Sequence, residues 1–302
     1  MIELLISLLT AASFIAPVQA APQTQTKINS LPEAGVILRV QPPKKKRMES
    51  IGIATTGRAA FVADIKTGQV LYSKNPHDVM PIASLTKLMT AIVVIDSEVN
   101  LDESITFIKE DFYGEGKSVF VQGETMTRRD ALRALLVGSV NAAGNALART
   151  SKGMDPFVRA MNEKAHSLNL ASPVFVDPTG VNPANKANAA DVAAMLSIAM
   201  SYPELREIAA LSSVTIKGGS GNAYNIDSTN LLLPTFLNHD PYRIIGAKTG
   251  SLPEAGFCMA QITRNAEGHE IVVVTLASDN HFTRYQDIKG LTAWAFDTFE
   301  WE

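Results

Sequence analysis

The sequence predicts an α+β fold: a mainly antiparallel sheet assembled from both ends of the chain and flanked by helices, with an all-helical lobe inserted between them. Three observations carry that prediction. β-type runs are confined to about 59–72 and 214–277, helical signals fill about 101–210, and a last helical stretch closes the chain at 285–299. There is no internal repeat and no sign of a second domain. At 302 residues with 46% hydrophobic content, the chain can bury a large core.

In order, Leu4–Val18 is apolar and runs into Val18-Gln19-Ala20 before Ala21-Pro22, the pattern of a secretory signal cleaved after Ala20. The first residues carry Glu3 and no Lys or Arg, so the usual positive n-region is missing. The rival reading, an uncleaved membrane anchor, fits less well because the run is short for a bilayer span. Residues 21–57 are rich in Gln, Thr, Pro and Lys and read as a flexible linker. Within it, Lys44-Lys45-Lys46-Arg47 reads as solvated charge, not as a targeting or anion-binding patch.

The folded domain is expected over 58–302. Ala59–Ile65 and Gln69–Tyr72 are β-type runs joined by the turn Lys66-Thr67-Gly68. Pro81 precedes a helix from Ser84 that is apolar on nearly every side over Leu88–Ile95, so it belongs inside the domain. Thr127-Arg128-Arg129-Asp130 resembles a capping box opening a helix over Ala131–Val137, and Ala142–Ala148 reads as another short helix. Asp155-Pro156 reads as an N-cap followed by proline at the first helical position, starting a helix to about Leu168. Pro173–Asn185 is a long loop, and Asn188–Met200 and Pro203–Leu211 complete the helical block. Val214–Lys217, Tyr242–Lys248, Gly256–Thr263 and Ile271–Ala277 are β-type, and Tyr285–Phe299 is a closing helix. The sheet lobe is thus expected from about 58–80 and 212–302, and the helical lobe from about 100–211.

A net charge of −3 gives no electrostatic reason to expect nucleic acid as a partner. The one cysteine, Cys258, allows no intramolecular disulfide, and its apolar surroundings mark it as core. Five scattered histidines offer neither a metal cluster nor a His-based triad, so no metal and no cofactor is expected.

The chemistry centres on Ser84-Leu85-Thr86-Lys87. On a helix, positions three apart share a face, so the serine hydroxyl and the lysine amine become neighbours. That is what a serine nucleophile needs from an amine base. Chance alone supplies roughly one S-x-x-K in a chain of this size, so position has to decide. S-x-N and K-T-G accompany S-x-x-K in serine acyl-transfer enzymes, and both occur here with decoys. Lys66-Thr67-Gly68 sits in a hairpin turn, whereas Lys248-Thr249-Gly250 follows a β-run and can flank a cleft. Among the S-x-N matches at Ser73, Ser139, Ser220, Ser228 and Ser278, only Ser139-Val140-Asn141 lies between two predicted helices, after the S-x-x-K and before the K-T-G. Ser228-Thr229-Asn230 is a weaker candidate for a cleft edge.

The ordered set Ser84-x-x-Lys87, Ser139-x-Asn141, Lys248-Thr249-Gly250 resembles the low-molecular-mass penicillin-binding proteins, the D-alanyl-D-alanine carboxypeptidase/endopeptidase family (peptidase family S11). The flanks agree: Asp64-x-Lys66-Thr67-Gly68-x-Val70-Leu71-Tyr72, Met80–Thr90 and Asp177-Pro178-Thr179-Gly180. Ser228-Thr229-Asn230 and Ala255-Gly256-Phe257-Cys258 are similar to the D-alanyl-D-alanine endopeptidase branch, that of penicillin-binding protein 7. The resemblance covers about 59–299. It implies a β-lactamase/transpeptidase-like fold and a penicillin-sensitive serine DD-peptidase. Its partners would be peptidoglycan peptides and β-lactams, and its location periplasmic.

In that reading Ser84 is the nucleophile and carries the acyl-ester, and Lys87 is the general base. A lysine near pKa 10.4 is protonated at neutral pH, but burial and a second cation, Lys248, both disfavour the charge. Ser139 can bridge the two lysines and carry a proton to the leaving amine; Asn141 can donate to a substrate amide or hold Lys87. Lys248 and Thr249 suit a substrate carboxylate. The resemblance implies an oxyanion site from the backbone N–H groups of Ser84 and of Ser251, just after Gly250. A class A β-lactamase would add a glutamate to position the deacylating water, and between Glu163 and Glu204 there is none. A penicillin-sensing module without turnover is the rival from outside enzymology. Phe296–Glu302 is too short for an amphipathic membrane anchor, so no stable anchoring is expected.

Overall fold

A computed structural model describes residues 41–114 and 119–302. The expected signal segment and residues 21–40 of the expected linker lie outside the described residues. The chain begins with β1 (Lys44–Lys45), β2 (Ala59–Asp64), β3 (Val70–Lys74) and β4 (Met80–Pro81), then a 3₁₀ turn (Ala83–Thr86) that leads into α1 (Lys87–Asp96). The helical lobe holds β5 (Ser104–Thr106), β6 (Thr125–Thr127), α2 (Arg128–Val137), α3 (Asn141–Ser151), α4 (Met154–Ser167), β7 (Lys186–Ala187), α5 (Ala189–Ala199) and α6 (Pro203–Ala209). Strands then return as β8 (Ser213–Lys217), β9 (Ala223–Asp227), β10 (Arg243–Leu252), β11 (Gly256–Arg264) and β12 (Glu270–Ser278). The chain closes with α7 (Thr283–Thr298) and β13 (Phe299–Glu300).

The main sheet has the order β10-β11-β12-β2-β3, with every neighbouring pair antiparallel, so both ends of the chain build it. Alternate residues point to opposite faces of a strand, and here both faces are buried. On β12, Val272, Val274 and Leu276 join the core shared with the helical lobe, while Ile271 and Val273 join a second core under α7 with Ile288, Leu291 and Ala295. Double burial explains why these strands read as continuous apolar runs instead of alternating ones. Cys258 sits fully buried in the first core, and burial raises its thiol to about 11, which makes it inert packing. β10 lies at the sheet edge, with its outer side turned toward the helical lobe.

Three local expectations change. The helix after Thr127 starts at Arg128, a turn before Ala131, because the Thr127 hydroxyl accepts directly from the Asp130 N–H at 3.0 Å. The helix expected from an Asp155 N-cap starts at Met154 behind Gly153; Pro156 then falls in the first turn, where its missing N–H leaves no bond unmade. Residues 44–57, read as linker, are strapped to the C-terminal helix. β1 pairs with β13, and Asp287 accepts from Thr56 N at 3.0 Å, Thr56 Oγ1 at 2.8 Å and Gly57 N at 3.1 Å. β9, which pairs with β8, is an element the sequence reading missed.

Candidate active site

Ser84 lies in the 3₁₀ turn that leads into α1, and Lys87 is the first residue of that helix. Three residues per turn places positions i and i+3 one above the other, and Lys87 Nζ reaches Ser84 Oγ at 2.8 Å. The turn is set by an unusual backbone: Ala83 has φ +49°, a left-handed conformation that costs a non-glycine residue about 1–3 kcal/mol. Ser139 is also left-handed, at φ +60°. The strain thus falls at, or one residue before, the two motif serines.

The loop Asp177-Pro178-Thr179-Gly180 holds the turn from behind. Gly180 has φ +81°, and a Cβ there would lie 1.9 Å from the Ala83 carbonyl oxygen. Asp177 fixes this loop by accepting from Thr179 N and Gly180 N, both at 2.7 Å, and from Asn182 N at 2.9 Å. Burial alone would raise its carboxyl, but these bonds outweigh it and hold Asp177 below the usual carboxylate range. The Thr179 carbonyl in turn accepts from Lys87 at 2.7 Å, and Asn141 Oδ1 accepts from it at 2.6 Å. The Asn141 amide group donates to the Gly114 carbonyl at 2.7 Å, so Asn141 holds Lys87 rather than facing outward. Lys87 is fully buried. A neutral amine there has two N–H groups for the Asn141 and Thr179 oxygens and a lone pair for the Ser84 hydroxyl proton.

Across the cleft, Lys248-Thr249-Gly250 lies inside β10, not after it. Lys248 is 1% exposed and donates to Ser139 Oγ at 2.7 Å and to the Thr249 carbonyl at 2.9 Å. Burial, then the charges of Lys87 and Arg284, hold its amine well below the ordinary lysine value. Gly250 is required by contact: a Cβ would stand 2.8 Å from the Ile82 carbonyl oxygen and 3.0 Å from Ser84 N. The strand therefore brings the backbone of Gly250 and Ser251 up to the amide of Ser84.

Ser84, Ser139, Thr249, Gly250 and Ser251 line one cleft of about 270 Å³. Five further lining residues, Thr229, Leu231, His281, Arg284 and Tyr285, went unassigned or underweighted in the sequence. Arg284, 4% exposed, donates to the Gly250 carbonyl at 3.1 Å and to Tyr285 Oη at 2.9 Å. Its Nη2 also meets His281 Nδ1 at 3.1 Å; a guanidinium only donates, so Nδ1 carries the lone pair and the proton sits on Nε2. Thr229 Oγ1 accepts from Thr249 Oγ1 at 2.8 Å. Arg284 and Tyr285 carry no motif, and only their place on α7 beside Gly250 marks them. The Ser278-Asp279-Asn280 decoy is spent elsewhere, with Ser278 Oγ donating to Asp287 at 2.9 Å.

The cleft thus holds two serine–lysine pairs, a buried guanidinium and closely apposed backbone amides. That set can activate a hydroxyl, attract a carboxylate and stabilise an oxyanion. No helix among the described residues is long and apolar enough to cross a membrane, and no group of His, Cys, Asp or Glu among them could hold a metal ion.

A family profile described as D-alanyl-D-alanine carboxypeptidase matches residues 44–280. The D-alanyl-D-alanine endopeptidase of Pseudomonas aeruginosa is 35% identical over 241 residues, 78% of this chain and 76% of that protein. The D-alanyl-D-alanine endopeptidase of Escherichia coli is 31% identical over 244 residues, again 78% and 76%. Among solved structures, a Streptomyces DD-transpeptidase superposes with a TM-score of 0.75 at 26% identity, over 82% of this chain and 100% of that one. Motif order, cleft geometry and these likenesses agree: the chain belongs to the D-alanyl-D-alanine carboxypeptidase family, the serine-type DD-peptidases of peptidase family S11.

Proposed function

We propose that this protein cleaves D-alanyl amide bonds of peptidoglycan peptides through an acyl-ester on Ser84, with cross-linked peptides preferred to free D-alanyl-D-alanine ends. The observation that carries the mechanism is the Lys87 amine, which meets Ser84 Oγ at 2.8 Å while Asn141 and Thr179 fix its other bonds. Ser84 Oγ attacks the D-alanyl carbonyl and passes its proton to Lys87. The oxyanion is held by the N–H groups of Ser84 and Ser251, fixed donors aimed at the developing charge. The C–N bond then breaks, and the leaving nitrogen takes a proton through Ser139, which Lys248 orients. Water attacks the ester with the same groups acting in reverse, which frees Ser84. The leaving group's carboxylate lies toward Thr249, Lys248 and Arg284. In a terminal D-alanine it is the chain end, and in a cross-link it is the carboxylate of the diamino acid's D-centre.

The endopeptidase preference rests on the two relatives above, both named D-alanyl-D-alanine endopeptidase. A β-lactamase reading is disfavoured, because the acid in the 173–185 loop, Asp177, is consumed by its own hydrogen bonds. A periplasmic location is proposed from the N-terminal signal pattern. The test is to incubate purified protein with labelled penicillin, then with cross-linked and uncross-linked muropeptides. Label lost in Ser84→Ala, together with dimer cleavage, is expected. Absence of label on the wild type would sink the mechanism, and label without peptide turnover would favour a penicillin sensor.

A further inference from the structure

A second cavity, of about 500 Å³, adjoins the catalytic cleft, and Leu231 lines both. One segment of chain forms the wall between them. Thr229 lines the cleft, while its neighbours Ser228 and Asn230 line the second cavity. The wall is fixed on several sides. Thr229 N donates to the Val137 carbonyl at 3.1 Å, the Thr229 carbonyl accepts from Tyr285 Oη at 2.8 Å, and Asn230 Nδ2 donates to Gln261 Oε1 at 3.3 Å. It borders the side of the cleft that carries Thr249 and Arg284, where the leaving group's carboxylate is placed above.

We propose that this second cavity is the subsite for the amine-side peptide strand of a cross-linked peptidoglycan dimer. The inference rests on the DD-peptidase reading and extends it to the origin of the endopeptidase preference. Size is the first reason. A single D-alanine is satisfied by the cleft of about 270 Å³, whereas a leaving group that is itself a peptide strand needs the adjoining space. Continuity is the second. Leu231, 46% exposed, forms the rim shared by both cavities, and a strand leaving the scissile bond passes over it. Chemistry is the third. The cleft is lined by Arg284, but Asp227 is the one charged residue among the described lining of the second cavity, beside the hydroxyls of Ser212 and Ser228 and apolar Leu233 and Pro234. Such a lining suits neutral peptide groups and opposes a second carboxylate, so the leaving strand enters in one direction, with its carboxylate behind it in the cleft.

The test uses the full-length protein with two substrates, an uncross-linked pentapeptide and a cross-linked dimer. The readout is the ratio of their kcat/KM values. Ser212→Phe and Ala210→Phe each fill the cavity from an exposed position. Each is expected to lower the dimer-to-pentapeptide ratio by about tenfold or more, and Asp227→Lys should lower it too. The rate of Ser84 labelling by penicillin in the same samples reports cleft integrity. Ratios within about twofold of wild type in all three variants, with labelling intact, would overturn the subsite. A wild-type protein that neither labels with penicillin nor cleaves either substrate would instead overturn the DD-peptidase reading.

Discussion

Lys248 donates from Nζ to Ser139 Oγ across 2.7 Å, joining the edge strand of the sheet to the turn between α2 and α3. The pair is the polar seam between the two lobes, and Lys248 brings to it an amine driven toward neutrality by burial and by the cations Lys87 and Arg284. Closely placed amines disfavour each other's charge, and an incoming carboxylate favours it.

The first prediction follows from this effect. A carboxylate favours the charged form of Lys248, so binding an anionic ligand should draw protons from solvent. Isothermal calorimetry of Ser84→Ala with a carboxylate-bearing β-lactam, in buffers of different ionisation enthalpy, measures it. Uptake that disappears in Lys248→Met is expected, and equal heats in all buffers would refute the idea. The stability sign is separate. With the folded pKa below the unfolded value near 10.4, the unfolded chain binds more protons between the two, so stability should rise with pH across that window. Lys248→Met should flatten the rise.

Gly250→Ala tests the apposition of strand and turn. The added Cβ would stand 2.8 Å from the Ile82 carbonyl and 3.0 Å from Ser84 N, so β10 must retreat from the nucleophile's amide. Acylation by penicillin should fall about 10²–10³-fold, the size of losing one oxyanion donor. The melting temperature should move far less, because the contact lies at the end of an edge strand. Unchanged acylation would show that the backbone around Gly250 does not bear on the oxyanion.

What could be read in the sequence was local. Ser84 and Lys87 are three residues apart, and the sheet strands are apolar runs whose place at both ends of the chain predicts the α+β layout. The true Lys248-Thr249-Gly250 was separable from the Lys66 decoy because a hairpin turn and a strand differ in their neighbours. What escaped was contact without a local signal. Lys87 leans on the carbonyl of Thr179, a group every residue carries, and Arg284 meets Gly250 from a helix 34 positions away. The left-handed backbone at Ala83 and Ser139 is imposed by packing, since neither residue type favours it. β9 was missed because Ala223–Asp227 is short, polar and half exposed, and only its pairing with β8 makes it a strand.

Thr229 illustrates how such contacts act on catalysis. It binds the helical lobe through the Val137 carbonyl, α7 through Tyr285, and the K-T-G strand through the hydroxyl of Thr249 at 2.8 Å. Thr229→Val keeps the shape and removes the hydroxyl, leaving Thr249 free to rotate away from a carboxylate. One neutral hydrogen bond is worth about 0.5–1.5 kcal/mol, so KM for peptide substrates should rise about two- to tenfold with kcat little changed. Thr229→Ser should restore it. A loss confined to kcat would assign Thr229 to the chemical step and not to positioning.

The last prediction concerns Glu124, a buried carboxylate far from Ser84 in sequence that pins the β8–β9 hairpin to the helical lobe. It accepts from Ser220 Oγ at 2.5 Å, Tyr224 Oη at 2.6 Å, Thr125 N at 2.9 Å and Ser220 N at 3.1 Å. The Ser220 and Tyr224 hydroxyls, with the backbone donors, outweigh burial and lower its pKa to about 2. A depressed carboxylate stabilises the fold fully above its unfolded value, near 4.3, and loses that contribution as pH falls toward 2. Glu124→Gln keeps the shape but not the charge, so at pH 7 it should cost about 1–3 kcal/mol, the range for a charged hydrogen-bonded group. The gap between wild type and variant should then narrow steadily as urea unfolding is repeated from pH 5 down to pH 3. A gap that stayed constant over that range would mean that Glu124 acts by shape alone, and that the hairpin is held by packing of Phe120 against Tyr224, whose rings lie 5.0 Å apart.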